Sequence, residues 1–125
     1  MDNEETLDIV KEFRFEAAHK LNNVPSGHKC GRLHGHSFHF EVKVRGVIDI
    51  KNSWVMDFGD ISKIVKPLID KYLDHYYLNE IEDLGEPTCE SIALWLWKKL
   101  KPQIPKLYEI TVHETCTSRC VYRGK

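Results

Sequence analysis

The stretch Cys30–Gly46, "CGRLHGHSFHFEVKVRG", decides how the rest of the chain is read. From His34 onward it alternates with period two. His34, His36, Phe38, Phe40, Val42 and Val44 fall in one row; Ser37, His39, Glu41, Lys43 and Arg45 fall in the other. Successive side chains of a strand point to opposite faces, so the pattern predicts a half-buried strand with the first row inward. That row begins with two imidazoles two residues apart. On a strand their Cα atoms are about 6.5 Å apart on one face, close enough for both rings to reach one ion. Gly35 between them is read as leaving room for that approach. The competing reading is a pair of histidines at the wet end of a strand, with no ligand.

Upstream, "LDIVKEFRFEAAHK" alternates in the same way and predicts a strand at about 7–19. Ile9, Phe13, Phe15, Ala17 and His19 share its inner face. If the two strands pair, three neutral imidazoles meet at His19, His34 and His36. Three histidines with an open fourth position are the pattern of a catalytic zinc site, whereas structural sites are closed. Between the strands, "LNNVPSGHKCGRL" is loop by its Asn, Pro, Ser and Gly content. It carries Cys30, flanked by Lys29 and Arg32, and neighbouring cations favour a thiolate. Cys30 is either a fourth metal ligand or a base or nucleophile beside an open metal; its loop position and cationic neighbours favour the second.

Downstream, "GVIDIKNSWVMDF" predicts a turn around Lys51–Ser53 and then a short strand. In "DFGDISKIVKPLIDKYLD" the period changes to that of a helix, with Asp57 or Asp60 as N-cap and Pro67 implying a kink or break. "DHYYLNEIEDLGE" reads as connecting loop. "PTCESIALWLWKKLK" predicts a second helix capped by Thr88, with Ile92, Trp95, Leu96 and Leu100 on the core. "KLYEITVHETC" predicts a strand with Tyr108, Ile110, Val112 and Glu114 on one face, and "CVYRG" a short edge strand. Runs of strands and runs of helices indicate an α+β domain with an antiparallel sheet, helices on one face and many ionisable groups on the other.

Composition narrows the function. The 125 residues suit one domain, 1–125, with a modest core. A net charge of -1 gives no support to nucleic-acid or membrane-surface binding through bulk charge. No apolar run approaches the roughly 20 residues of a membrane helix. The acidic "MDNEETLDIV" lacks the features of a signal peptide, so the expected compartment is the cytoplasm. With nothing to suggest export, the four cysteines do not point to a disulfide framework, and the lack of a Cys-x-x-Cys pair argues against a zinc ribbon or a thioredoxin-like motif.

Two further signals carry chemistry. Asp74 and His75 follow a helix, and an acid–histidine pair can tune a general acid or base. Glu114 ends an otherwise apolar face. Buried, it would need donors such as the two adjacent N–H groups of a pterin or guanine edge; at an exposed strand end it would need none. His39 and His113 fall on polar faces and read as solvent or interface residues. Trp95 and Trp97 read as helix packing, and Cys116 and Cys120 as small buried side chains.

Taken together, "FEAAH", "CGRLHGHSF", "LDHYYLN", "PTCE" and "ETCT…YRG" resemble the 6-pyruvoyltetrahydropterin synthase family, in order from about residue 12 to 124. Within it they resemble the branch that forms 6-carboxytetrahydropterin for queuosine, a 7-deazaguanine. The resemblance implies the tunnelling fold, a four-stranded antiparallel sheet with two helices on one side. It implies trimeric barrels stacked into a homohexamer, with active sites between subunits. It implies Zn2+ on His19, His34 and His36; Cys30 as catalytic base with Asp74 and His75 as relay partners; and Glu114 as the pterin anchor and a participant in proton relay. The implied lyase converts 7,8-dihydroneopterin triphosphate to 6-carboxytetrahydropterin, acetaldehyde and triphosphate. Lys29, Arg32, Thr88, Arg119 and Arg123 are the candidates for further substrate contacts. The short Cys30-x-x-x-His34 spacing, and Ser91 where many pyruvoyl-forming members carry Asn, favour this branch over the alternative, triphosphate elimination without side-chain cleavage.

Overall fold

The computed structural model describes residues 5–125. The reading of the acidic N-terminus rests in part on residues 1–4 and lies outside the described residues. Strand β1 (Thr6–His19) pairs antiparallel with β2 (His34–Val47) along its whole length, from Thr6 opposite Val47 to His19 opposite His34. β2 pairs with β3 (Leu107–His113), and β3 with β4 (Arg119–Tyr122), giving one sheet in the order β1-β2-β3-β4. Helices α1 (Phe58–Leu68) and α2 (Cys89–Leu100) complete the architecture.

The inner rows of β1 and β2 meet the helices in a single core. Phe13, Phe15, Phe38, Phe40, Val42 and Val44 are buried with Ile61 and Val65 of α1 and Ile92, Trp95, Leu96 and Leu100 of α2. Burying a side chain of this size contributes about 1.5–3 kcal/mol. Phe15 stacks on Phe38 at 4.9 Å between centroids, and Phe13 on Phe40 at 5.4 Å. Alternation over fourteen residues in both strands fixes the register, because a one-residue slip would turn this row to solvent.

One local expectation is corrected and two are resolved. After the turn at Lys51–Ser53 no strand follows; only an isolated bridge joins Asp49 to Trp54. Asp57, not Asp60, caps α1, accepting from the Gly59 N–H at 2.9 Å. The break expected near Pro67 falls one residue past it, where α1 gives way to a π-helical turn, Ile69–Leu73. The Asp74 N–H then donates to the Ile69 carbonyl at 2.8 Å. Proline lacks the amide hydrogen an α-helix needs and crowds the carbonyl four residues back.

β3 also departs from strict alternation. A register shift opposite Lys43 and Val44 lets Leu107 join the core, and Tyr108 meets the outer face. There the Arg45 guanidinium lies 3.6 Å from the Tyr108 ring centroid. The outer face is otherwise a lattice of ion pairs, including Arg45–Asp8 at 2.6 Å and Lys43–Glu109 at 3.0 Å. Burial pushes Glu109 up, but Lys43 and Arg123 outweigh it and hold its carboxyl below the usual range. Trp95 packs edge-on against Tyr72 and donates Nε1–H to Asp83 at 2.9 Å; Trp97 packs against Tyr122. Cys116 is exposed, contrary to expectation, and Cys120 is half-buried.

Candidate active site

β1 ends and β2 begins at the same end of the sheet, so the register sets His19 opposite His34, with His36 on the same inner row. The ring centroids of His19 lie 4.5 Å from His34 and 5.1 Å from His36. Each ring is held by a backbone carbonyl at Nδ1: Pro87 at 2.9 Å for His19, Arg32 at 2.7 Å for His34 and Ser37 at 2.9 Å for His36. A carbonyl only accepts, so the network assigns each Nδ1 as the N–H and leaves a lone pair on each Nε2. The Nε2 atoms of His19 and His36 face each other at 3.2 Å. Two lone pairs at that distance call for a cation between them. One ligand atom from each of the three rings lies within 4.8 Å of the others. Burial pushes the His19 imidazole below its ordinary pKa, reinforced by His34 and His36 against the Pro87 carbonyl, which keeps the ring neutral as a metal ligand must be. The donor set fits a zinc-class ion, and the carbonyls, by taking each Nδ1–H, turn the opposite ring nitrogens toward one point.

Gly35 has a different part from the one expected. It points away from the histidines, and a Cβ there would come within 3.3 Å of the Ala17 carbonyl oxygen. The close approach it permits is between strands, not between rings.

One side of the triad opens into a cavity of about 400 Å3 lined by His19, His34, Cys30, Thr88, Glu114 and Arg119. Cys30 sits in a single 3-10 turn, Lys29–Gly31. The turn is tied down by Cys30 N–H donating to His28 Nδ1 at 3.1 Å and by Leu21 N–H donating to the Cys30 carbonyl at 2.8 Å. Glu114 lies one residue beyond β3 and is exposed, the second of its two readings. Thr88 spends its hydroxyl on the Ser91 N–H at 3.1 Å, capping α2, while facing the cavity.

Asp74 and His75 lie on the other side of the triad. The π-helical turn delivers Asp74 to the edge of β1, where its carboxylate accepts from the Glu16 N–H at 2.9 Å and from His75 Nδ1 at 3.0 Å. Those two bonds, the Glu16 amide first, hold its carboxyl below the usual range. His75 has φ +65°, a left-handed conformation uncommon outside glycine, and is largely exposed. It lines a cavity of about 490 Å3 with His36, Ala18 and Gly35, separate from the one that holds Cys30. Cys30 and the Asp74–His75 pair therefore flank the triad within one chain without sharing a cavity.

The basic candidates divide. Arg119 lines the Cys30 cavity; Arg32 lines a neighbouring hollow formed by residues 20–28; Arg123 donates Nε–H to Glu109 at 2.8 Å. Lys29 lines neither of the two cavities beside the triad. Sequence reasoning missed the Pro87 carbonyl, for which no periodic signal exists, and Glu90, Ser118, Cys89 and Cys120 in the Cys30 cavity. Of these only Cys120 was legible: alternation in "RCVY" places it inward, opposite Val112.

Comparison with known proteins gives a concordant result. A family model described as 6-pyruvoyl tetrahydropterin synthase matches residues 8–125. A Synechocystis protein named 6-carboxy-5,6,7,8-tetrahydropterin synthase is 44% identical over 119 residues, covering 91% of each chain. A Drosophila melanogaster 6-pyruvoyl tetrahydrobiopterin synthase is 30% identical over 93% of this chain and 79% of its own length. The structure of Caenorhabditis elegans 6-pyruvoyl tetrahydropterin synthase superimposes with a TM-score of 0.89 at 26% identity, covering both chains completely.

Proposed function

The chain belongs to the 6-pyruvoyl tetrahydropterin synthase family, and from that premise we propose that it converts 7,8-dihydroneopterin triphosphate and water to 6-carboxy-5,6,7,8-tetrahydropterin, acetaldehyde and triphosphate. The observation that carries the proposal is the 44% identity, over 91% of both chains, to a relative named for this product. The convergent His19–His34–His36 triad beside Cys30 supports it. The reaction serves 7-deazaguanine synthesis in the cytoplasm. No helix among the described residues is long and apolar enough to cross a membrane.

His19, His34 and His36 would hold Zn2+ through Nε2. Bound there, the ion supplies a Lewis acid that lowers the pKa of a substrate hydroxyl. Glu114 grips the pterin edge through two adjacent N–H groups, which fixes the side chain beside Cys30. Cys30 takes a proton from the side-chain carbon next to the ring, working as general base. His75, oriented by Asp74 through its Nδ1–H, exchanges protons from the far side of the triad. Arg119, which lines the cavity, meets the triphosphate. The catalytic set is completed in a homohexamer, where a neighbouring chain supplies what a single chain holds in separate cavities.

The test is turnover of 7,8-dihydroneopterin triphosphate by the metal-loaded protein, by the chelator-stripped protein, and after zinc is restored. Turnover that disappears with the metal and returns with it supports the reading; full turnover in the stripped protein contradicts it.

A further inference from the structure

A second cluster of metal-ligating side chains lies on the opposite face of the sheet from the triad. His39 on β2 and His113 on β3 are direct cross-strand partners, and Glu41 follows two residues along β2 on the same face. The imidazoles stack at 4.3 Å between centroids, 7° from parallel. His113 Nε2 and a Glu41 oxygen are 2.7 Å apart, and His39 Nε2 and Glu12 2.9 Å apart. One ligand atom from each of His39, Glu41 and His113 lies within 4.8 Å of the other two. All three side chains are only about one-fifth to one-quarter exposed, at 22%, 26% and 19% respectively.

We infer that His39, Glu41 and His113 form a second divalent-cation site, for an ion of the zinc class. The argument is chemical. Two imidazoles and one carboxylate are a donor set that zinc, cobalt and nickel accept, with bonds of about 2.0–2.2 Å. Ligand atoms at that bond length stand about 3.3 Å apart on a tetrahedron, so side-chain rotations of an ångström or so close the observed cluster. The ion takes the place of the proton between His113 and Glu41, which moves to the other ring nitrogen or to solvent. Glu12, already on His39, then orients that ring as a second-shell carboxylate. Facing the cluster are Arg14, opposite His39 in the β1–β2 register, and Lys43, whose charge is met by Glu109. Arg14 weakens the attraction for a cation, so the site is the weaker of the two. With Glu12 kept on His39 Nε2, His39 would offer its Nδ1 to the ion. The ligands come from β2 and β3, so a bound ion clips the middle of the sheet together. This inference is independent of the catalytic reading.

The test uses Co2+, whose visible spectrum reports coordination, and Zn2+, titrated into chelator-stripped protein. To separate the sites, the titration is repeated on His34→Ala/His36→Ala, which removes the triad, and on that variant with His39→Asn, Glu41→Gln or His113→Gln added. The expected result is two ions per wild-type chain, one per chain in the triad variant with a rise in melting temperature on zinc addition, and loss of both when the outer-face ligands are changed. Circular dichroism of the metal-free proteins checks that each variant is folded. One ion per wild-type chain and none in the triad variant overturns the proposal. So does a second ion that persists after all three outer-face substitutions.

Discussion

At the scale of single residues, three backbone carbonyls do the orienting. Arg32, Ser37 and Pro87 each take the Nδ1–H of one histidine and leave the opposite nitrogen free. His34→Ala and His36→Ala each remove one of the three nitrogens, and either is expected to lose the tightly bound ion in equilibrium dialysis. Cys30 is different. It shares the cavity with the triad, but it is not among the side chains whose ligand atoms converge there, and its turn is held by hydrogen bonds to His28 and Leu21. Cys30→Ala is expected to keep the triad ion while kcat falls about 10²–10⁴-fold, the usual contribution of a general base. Loss of the ion in that variant would make Cys30 a ligand and return the reading to the closed site. The rings that share a face were readable from sequence, because strand alternation is strict. The partners of their Nδ1 atoms were not. A carbonyl carries no sequence signature, and Pro87 is 68 residues from His19.

At the scale of elements, the long strands were legible and the irregularities were not. Fourteen residues of alternation in β1 and in β2 leave one register that buries the phenylalanines. The shift in β3 cannot be seen in "LYEITVH", because it answers to Leu107 reaching the core and Tyr108 reaching Arg45. Pro67 signalled a break, and the α-helix ends one residue past it, passing into a π-helical turn that sets Asp74 and His75 against β1. Leu96 on α2 is fully buried among the sheet side chains. Leu96→Ala is expected to cost about 2–5 kcal/mol in urea denaturation with unchanged ion stoichiometry, since the triad sits at the sheet's end. Glu109 is expected to govern part of the acid response. Its folded pKa is depressed, so its stabilisation is present above the unfolded pKa and is lost as pH falls through the folded one. Glu109→Gln should therefore be less stable near neutral pH and lose less stability on acidification. Equal slopes for the two proteins below about pH 4.3, the ordinary glutamate pKa, would contradict that assignment.

At the scale of the whole molecule, one chain holds its catalytic candidates in two cavities on either side of the histidines. A shared active site makes a clear prediction for mixed assemblies. Cys30→Ala and His75→Ala chains, each inactive alone, should regain measurable turnover when unfolded and refolded together, and sedimentation should show particles of six chains. No recovery in mixed particles of that size would confine each site to a single chain. Composition and charge pointed away from nucleic acid and membranes, and motif order pointed to the family that the comparisons identify. An assembly by edge pairing would leave no trace in periodicity, because it uses backbone groups that every strand carries. The central claim is the outcome of the reaction, and product identification tests it most directly. Incubation of the zinc-loaded protein with 7,8-dihydroneopterin triphosphate should release acetaldehyde and triphosphate in equal amounts, with a carboxytetrahydropterin as the ring product. Triphosphate release with a three-carbon pyruvoyl side chain retained, and no acetaldehyde, would contradict it.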